Sequence, residues 1–382
     1  MLKNQLPTGV RDELGINAGI KETTVNTIQN YFYQRGFEKI KTPVIEYQDV
    51  FEDYDVGQQR LFKFLSASGN SVVLRPDMTL PLARVLSSTQ VKLPAKFYYS
   101  GDIFRINKAL SGSQDEMTQA GAELIGFSSM KAEQECLSMM IELAQILELD
   151  SIQIELGLAR FVKQILEMLT DNIDQIHAIE EALFSKQITK YNQLIAAFDE
   201  SEYTSLLKIW PRLFGPAQDV LDEIFPYKFP ERLQEKVTEL RQLVSWLQVR
   251  YPNQNVEIDL STRAPQDYYT GITFQAYSSQ SATFLFSGGR YDHLLNHFQK
   301  EKVAAIGLGI DVDQIALISQ ADCQTTPMTY IYFNDNQWEL AEQKLMELDK
   351  ATLCLVDSLE EAQKVADNND GQLLDLTAEV IK

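Results

Sequence analysis

The chain has 382 residues, 45% hydrophobic and 10% aromatic, enough for two or three structural units around a substantial core, which excludes wholesale disorder. Its 54 acidic and 34 basic side chains leave a formal net charge of −20 with no lysine- or arginine-rich run. That weighs against nucleic acid, whose phosphates need Lys and Arg partners.

No run of about 18 apolar residues occurs and residues 1–5 lack a signal-peptide core, so a soluble, cytoplasmic chain with no membrane partner is expected. In chain order, Ile20, Val25, Ile28 and Phe32 share one face of a helix predicted near 19–35, with Gly36 placed to stop it. Residues 97–99 read as a buried strand, and 131–148, dense in Leu, Met and Ile, as a second helix. Alternation at 152–156 and 256–260 predicts two strands, and 283–286 reads as another, more buried one. Between about 160 and 250 the pattern is helical, punctuated by Pro211, Gly215-Pro216, Pro226 and Pro230, as in a helical insertion within a sheet-based domain. Pro327 marks the last boundary. Beyond it, strands at 329–333 and 352–356, each followed by a helix, and a third at 373–376 predict a small α/β unit over 328–382. That stretch holds 12 acids and 4 lysines, a net −8.

Cys136, Cys323 and Cys354 are distant and odd in number, which argues against a disulfide framework and a thiolate zinc site. His293 and His297 lie four apart on a predicted helix, a spacing that can bind zinc. With no third ligand suggested, they read as surface histidines. No metal or cofactor is implied.

Three stretches carry candidate ligand-binding chemistry. In Leu74-Arg75-Pro76-Asp77-Met78-Thr79 the Asp77 carboxylate suits an ammonium group; it is equally a turn former that satisfies backbone N–H groups. Gln119, Gly121 and Glu123 alternate, so on a strand all three face one side, with Gly121 leaving room for a ligand between the polar side chains. The same alternation describes a strand facing water. Gly288-Gly289 lacks the Gly-Lys-Ser/Thr of a phosphate-binding loop and reads as close backbone packing.

Taken in order, these blocks resemble the class II histidyl-tRNA synthetase family. Leu6-Pro7-Thr8-Gly9-Val10-Arg11-Asp12 is similar to its N-terminal segment, and Arg35 to Pro43 to motif 1, which builds the family's dimer interface. Phe104-Arg105 through Gln119 to Gly126 resembles motif 2; Ser287 to Asp292 with Gly307 to Gln314 resembles motif 3. Asp267-Tyr268-Tyr269-Thr270-Gly271 resembles a segment peculiar to histidyl-tRNA synthetases and their relatives. The resemblance implies an α+β fold: a class II synthetase-like core over residues 1–320, its antiparallel sheet flanked by helices, with the insertion at about 160–250. It also implies that Asp77, Thr79, Arg105, Gln119, Glu123, Tyr268, Tyr269 and Tyr291 hold histidine, Gln119 at the amino group and Glu123 and Tyr291 at the imidazole.

The chain departs from the synthetase pattern where ATP phosphates are handled. Family arginines are replaced by Ala264, Asp115 and Gln314, and Arg263 is one residue out of register. Losing one preorganised charge-stabilising donor costs about 2.7–4 kcal/mol, and such losses need not add. Binding retained with phosphate chemistry removed resembles a paralogous family, the regulatory subunits of ATP phosphoribosyltransferase. That resemblance implies a dimer without catalytic residues or tRNA, partnered by a short-form catalytic subunit in the first step of histidine biosynthesis, with L-histidine as feedback effector. The alternatives are a divergent active synthetase and a free-standing histidine sensor.

Overall fold

Helix α1 (Ile16–Gln34) ends at a glycine because the chain must turn sharply there: Gly36 takes a φ of 77°, open to a residue without Cβ. The computed structural model describes residues 3–52, 61–89, 91–107, 114–294, 302–319 and 327–380. The chain divides into two units, Met1–Ala321 and Asp322–Lys382.

In the first unit α1 leads to β1 (Glu38–Lys39) and then a small sheet of β2 (Ile45–Tyr47), β3 (Lys63–Leu65) and β4 (Ser71–Leu74). Helix α2 (Thr79–Ser88) precedes the long strands β5 (Ala95–Phe104) and β6 (Glu116–Ile125), followed by α3 (Lys131–Ile146) and β7 (Ile152–Leu158). Between β7 and the second predicted strand lie α4 (Phe161–Leu169), α5 (Ile173–Phe184), α6 (Ile188–Ile195), α7 (Thr204–Ile209), a short β8 (Phe214–Pro216), α8 (Ala217–Ile224) and α9 (Glu231–Arg250). The chain then forms β9 (Asn255–Asp259), β10 (Ile272–Ser278), β11 (Phe286–Arg290), β12 (Ala305–Asp311) and α10 (Val312–Ile318).

One nine-stranded sheet, ordered β1-β5-β6-β12-β11-β10-β7-β9-β8, organises this unit. It is mostly antiparallel, with parallel pairs at β1/β5 and β7/β9. Side-chain alternation divides its two faces. Ala120, Ala122 and Leu124 of β6 and Ile306, Leu308 and Ile310 of β12 join a core with Cys136, Leu137, Met140 and Leu143 of α3. Each large aliphatic side chain so buried contributes about 1.5–3 kcal/mol. The residues between them, Gln119, Gly121 and Glu123 with Gly307 and Gly309, turn to the other face.

The helical stretch is tied to the sheet through Trp210, fully buried, whose indole N–H donates to the Leu260 carbonyl at 2.8 Å. Phe161 packs edge-on against both Trp210 and Phe229, each at 5.6 Å between ring centres. The one strand in this stretch, β8, joins the sheet edge beside β9. A buried ion pair locks α3 to β11: Arg290 bonds both Glu133 oxygens, with Nη2 to Oε2 at 2.7 Å.

The second unit is a three-stranded parallel sheet, β13 (Thr329–Tyr332) between β14 (Ala351–Leu353) and β15 (Gln372–Asp375), with α11 (Trp338–Glu347) and α12 (Leu359–Asn368). Ile331 packs with Ala341 of α11, whereas Tyr332 packs with Ala362 of α12, so both faces are covered.

Several expectations shift. The strand expected at 283–286 begins only at Phe286, because residues 283–285 form a bend leading into it. The third strand of the small unit starts one residue early, at Gln372. His293 lies in a turn, not on a helix, and His297 and Cys323 lie outside the described residues. Cys136 and Cys354 are free and buried.

Candidate functional site

The strand register builds a low floor. Tyr99 of β5 pairs with Gly121, Gly121 with Gly309, and Gly309 with Ser287; Glu123 pairs with Gly307. A Cβ on Gly307 would overlap the Glu123 carboxylate, and one on Gly309 would lie 3.0 Å from the Gln119 amide nitrogen. The two β12 glycines therefore let the long β6 side chains lie across the neighbouring strand. Asp77 and Thr79 at the start of α2, and the irregular turn from Gln266 to Tyr269, enclose the space above.

Glu123 is 1% exposed and held by three hydroxyls. Thr79 Oγ1 donates to its Oε1 at 2.7 Å, Tyr99 donates to the same oxygen at 3.3 Å, and Tyr291 donates to Oε2. Burial pushes its carboxyl up to about 7, opposed by the Tyr291 and Thr79 bonds and aided by the charge of Asp77. Asp77 is also buried: its Oδ1 accepts the Leu80 backbone N–H at 2.8 Å and its Oδ2 faces the Tyr268 hydroxyl at 3.4 Å. Burial raises its pKa as well, against the Leu80 bond and the Arg105 charge. Asp77 thus performs the turn role and presents its second oxygen to the pocket. Tyr268 stands edge-on to Tyr269 at 5.1 Å and to Tyr291 at 5.7 Å, making an aromatic wall. The amide oxygen of Gln119 is buried and accepts no hydrogen bond from the described residues.

Seven of the eight expected residues, Asp77, Thr79, Gln119, Glu123, Tyr268, Tyr269 and Tyr291, line one cavity of about 30 Å³. Arg105 does not line it. Its guanidinium Nε donates to the Pro76 carbonyl at 2.8 Å, so it braces the Asp77 turn, and its charge acts on Asp77 and Tyr269. The room expected over Gly121 is filled, since a Cβ there would lie 2.5 Å from the Tyr99 hydroxyl. Tyr99, Gln266, Ser287, Gly307 and Gly309 also line the cavity. The alternation Phe97, Tyr99, Gly101 marks Tyr99 as facing one side of a strand; only the pairing of β5 with β6 shows which.

The positions that depart from the synthetase pattern have other work. Arg263 turns to the insertion, 3.5 Å from Glu181 and over the Phe184 ring. Ala264 packs half-buried beside the cluster containing Tyr268 and Tyr269. Asp115 holds the N-terminal segment, its N–H donating to the Gly9 carbonyl at 2.6 Å while its Oδ1 accepts from Asn107 N–H at 2.8 Å. Gln314 sits in the first turn of α10, its N–H capped by Asp311 at 2.9 Å. Arg11 and Lys21 both pair with Asp313, at 3.1 and 2.8 Å. Among the described residues no group of three or more His, Cys, Asp or Glu side chains is disposed to hold a metal, and no helix is long and apolar enough to cross a membrane.

A mostly antiparallel sheet whose glycine floor carries a caged carboxylate under a Tyr-Tyr turn defines a class II synthetase-like protein of the histidine type. The family model described as histidyl-tRNA synthetase matches residues 9–315. The histidyl-tRNA synthetase of a Nostoc species shares the fold, with a TM-score of 0.75 at 18% identity over 97% of this chain and 90% of that one. The ATP phosphoribosyltransferase regulatory subunit of Lactiplantibacillus plantarum is 43% identical over 377 residues, 99% of this chain and 98% of the relative. That of Listeria monocytogenes is 34% identical over 367 residues, 94% and 92% of the two chains. A solved structure from Bacillus halodurans, described as an ATP phosphoribosyltransferase regulatory subunit/histidyl-tRNA synthetase, superposes with a TM-score of 0.82 at 25% identity, covering 98% and 97%. This chain belongs to the ATP phosphoribosyltransferase regulatory subunit family, a paralogous branch of the histidyl-tRNA synthetases.

Proposed function

We propose that the chain is a non-catalytic regulatory subunit, required by a short-form ATP phosphoribosyltransferase catalytic subunit for the first step of L-histidine biosynthesis, and that L-histidine binds in the Glu123 pocket as feedback inhibitor. The observation that carries this reading is the pairing of two buried carboxylates with a lining that, among the described residues, contains no cation. Asp77 offers an oxygen to an ammonium group, the open Gln119 oxygen stands ready to accept a second bond, and Glu123 offers an acceptor to an imidazole N–H. Apolar amino acids are disfavoured, because an analogue without the ring N–H offers Glu123 no donor beyond the three hydroxyls it already holds.

A cavity of about 30 Å³ holds little more than one water, so admitting histidine requires its walls to move. The wall best suited to moving is the turn from Gln266 to Tyr269, which is irregular backbone rather than strand or helix. A ligand that binds one wall arrangement better than another shifts the population between them, and its binding is reciprocally coupled to any partner binding that distinguishes the same arrangements.

The same family reading supports self-association through the motif 1 region. Just after it in the chain, Ile45 and Tyr47 with Phe64 are 50%, 54% and 41% exposed on one face of the small β2-β4-β3 sheet. Titration calorimetry tests the pocket: wild type binds L-histidine, and Glu123→Ala loses detectable binding while keeping its circular dichroism spectrum. Unchanged affinity in that variant would mean that the pocket is misassigned.

A further inference from the structure

Outside the histidine pocket, the first turns of α4 and α9 face one another across a cavity of about 460 Å³. Arg160, Lys163 and Arg232 line it with His293, and Met168, Pro230 and Leu233 provide an apolar wall. Lys302 stands close enough to act on His293. In a chain of net charge −20 this is a local excess of cations, with Glu167 the one acid among the described lining residues. Glu167 is itself turned toward Lys163, at 4.0 Å on the exposed side of α4. Arg160 and Arg232 are exposed and form no ion pair among the described residues. The side chains supply most of the positive potential; the N-terminal ends of the two helices, neither with a side-chain cap, add to it.

We infer that this cavity is a second ligand site, for a small phosphate-bearing molecule held by Arg160, Arg232 and Lys163. Two guanidinium groups and an ammonium converging on one space match the oxygens of a phosphate or pyrophosphate group, with arginine forks able to bind two oxygens each. The volume falls within the range of small-molecule pockets, and the Met168, Pro230 and Leu233 wall gives an apolar seat to whatever carries the phosphate. An inorganic anion and a nucleotide share this chemistry, and they separate by whether the apolar wall adds affinity. The neighbouring cavity, about 540 Å³, shares Arg160 and Lys163 and adds Arg263 and His177, but Glu180, Glu181 and Asp267 offset them there. The anion site is therefore on the α9 side.

His293 reports on occupancy. Burial lowers its pKa, and the charges of Lys302, Arg232 and Arg160 lower it further against the opposing Asp292. An anion among those cations reverses part of their effect and raises it.

The test uses the full chain in phosphate-free buffer, titrated calorimetrically with pyrophosphate, AMP and ATP. Saturable binding is expected for at least one probe, weakened roughly tenfold or more in the double variant Arg160→Gln, Arg232→Gln. The charge-matched variant Lys190→Gln, Lys208→Gln, altered outside the cavity, keeps wild-type affinity. Pyrophosphate binding as tightly as ATP assigns the site to the phosphate alone, whereas tighter ATP assigns it to a nucleotide. The His293 ring titration, followed by proton NMR in the wild type, moves to higher pH with the bound probe. L-Histidine affinity is unchanged in the cavity variant, so this inference can fail without touching the histidine reading. Absence of saturable binding for all three probes, equal binding by the cavity variant, or an unmoved His293 titration would each overturn it.

Discussion

Glu123 combines a buried carboxyl, three hydroxyl donors and a glycine beneath it, and each has a measurable consequence. Its carboxyl lies at about 7 in the fold, against the usual 4.5. Between those values the folded chain keeps a proton that the unfolded chain has released, so stability falls as pH rises from 4.5 through 7, by about 3 kcal/mol once complete. Glu123→Gln removes that term. Urea titrations at pH 4.5 and 8 should therefore show the variant gaining on wild type by roughly that amount; parallel stability curves would contradict the assignment. Gly307→Ala places a methyl where the Glu123 carboxylate lies. It is expected to cost about 1–3 kcal/mol and to weaken histidine binding at least tenfold, read by thermal unfolding and calorimetry. The sequence marked Glu123, Gln119 and the three tyrosines through alternation and motif resemblance. The block from Gly307 to Gln314 resembles motif 3, but Tyr99 could not be marked as a pocket residue, because only strand pairing brings it under the ligand space. Nor could the sequence show that Arg105 holds the Pro76 carbonyl, since an arginine reads alike whether it faces a ligand or a backbone carbonyl.

At the scale of elements, the long periodic helices and alternating strands were legible, since packing and pattern agree over α1, α3, β7 and β9. The 283–286 run misled because an apolar run carries no sign of where a bend becomes a strand. The division of labour between sheet faces follows from the period of two: Ala120, Ala122 and Leu124 of β6 enter the core that includes α3, whereas Gln119 and Glu123 serve the pocket. The Arg290–Glu133 pair fixes α3 against the end of β11, one residue before Tyr291. Glu133→Gln leaves a buried guanidinium short of its partner and is expected to cost about 3–5 kcal/mol in urea unfolding; a change under about 1 kcal/mol would make the pair incidental. The exposed Ile45, Tyr47 and Phe64 face predicts that Tyr47→Asp with Phe64→Asp shifts the chain from dimer to monomer in sedimentation velocity. An unaltered dimer would place the interface elsewhere.

For the whole molecule, the class of fold was legible because the motif blocks fall in family order along most of the chain, not because any one block was decisive. The cation cavity between α4 and α9 was invisible in sequence: Arg160, Lys163, Arg232 and His293 are spread over more than a hundred residues and meet only when the insertion folds onto the sheet. What the folded chain does to a catalytic partner is reached most directly by one assay. The rate of phosphoribosyl-ATP formation by a short-form catalytic subunit is measured with and without this chain, and then with increasing L-histidine. Stimulation by the wild type, reversed by histidine but resistant to histidine in Glu123→Ala, is the predicted result. A rate unaffected by adding this chain would contradict it.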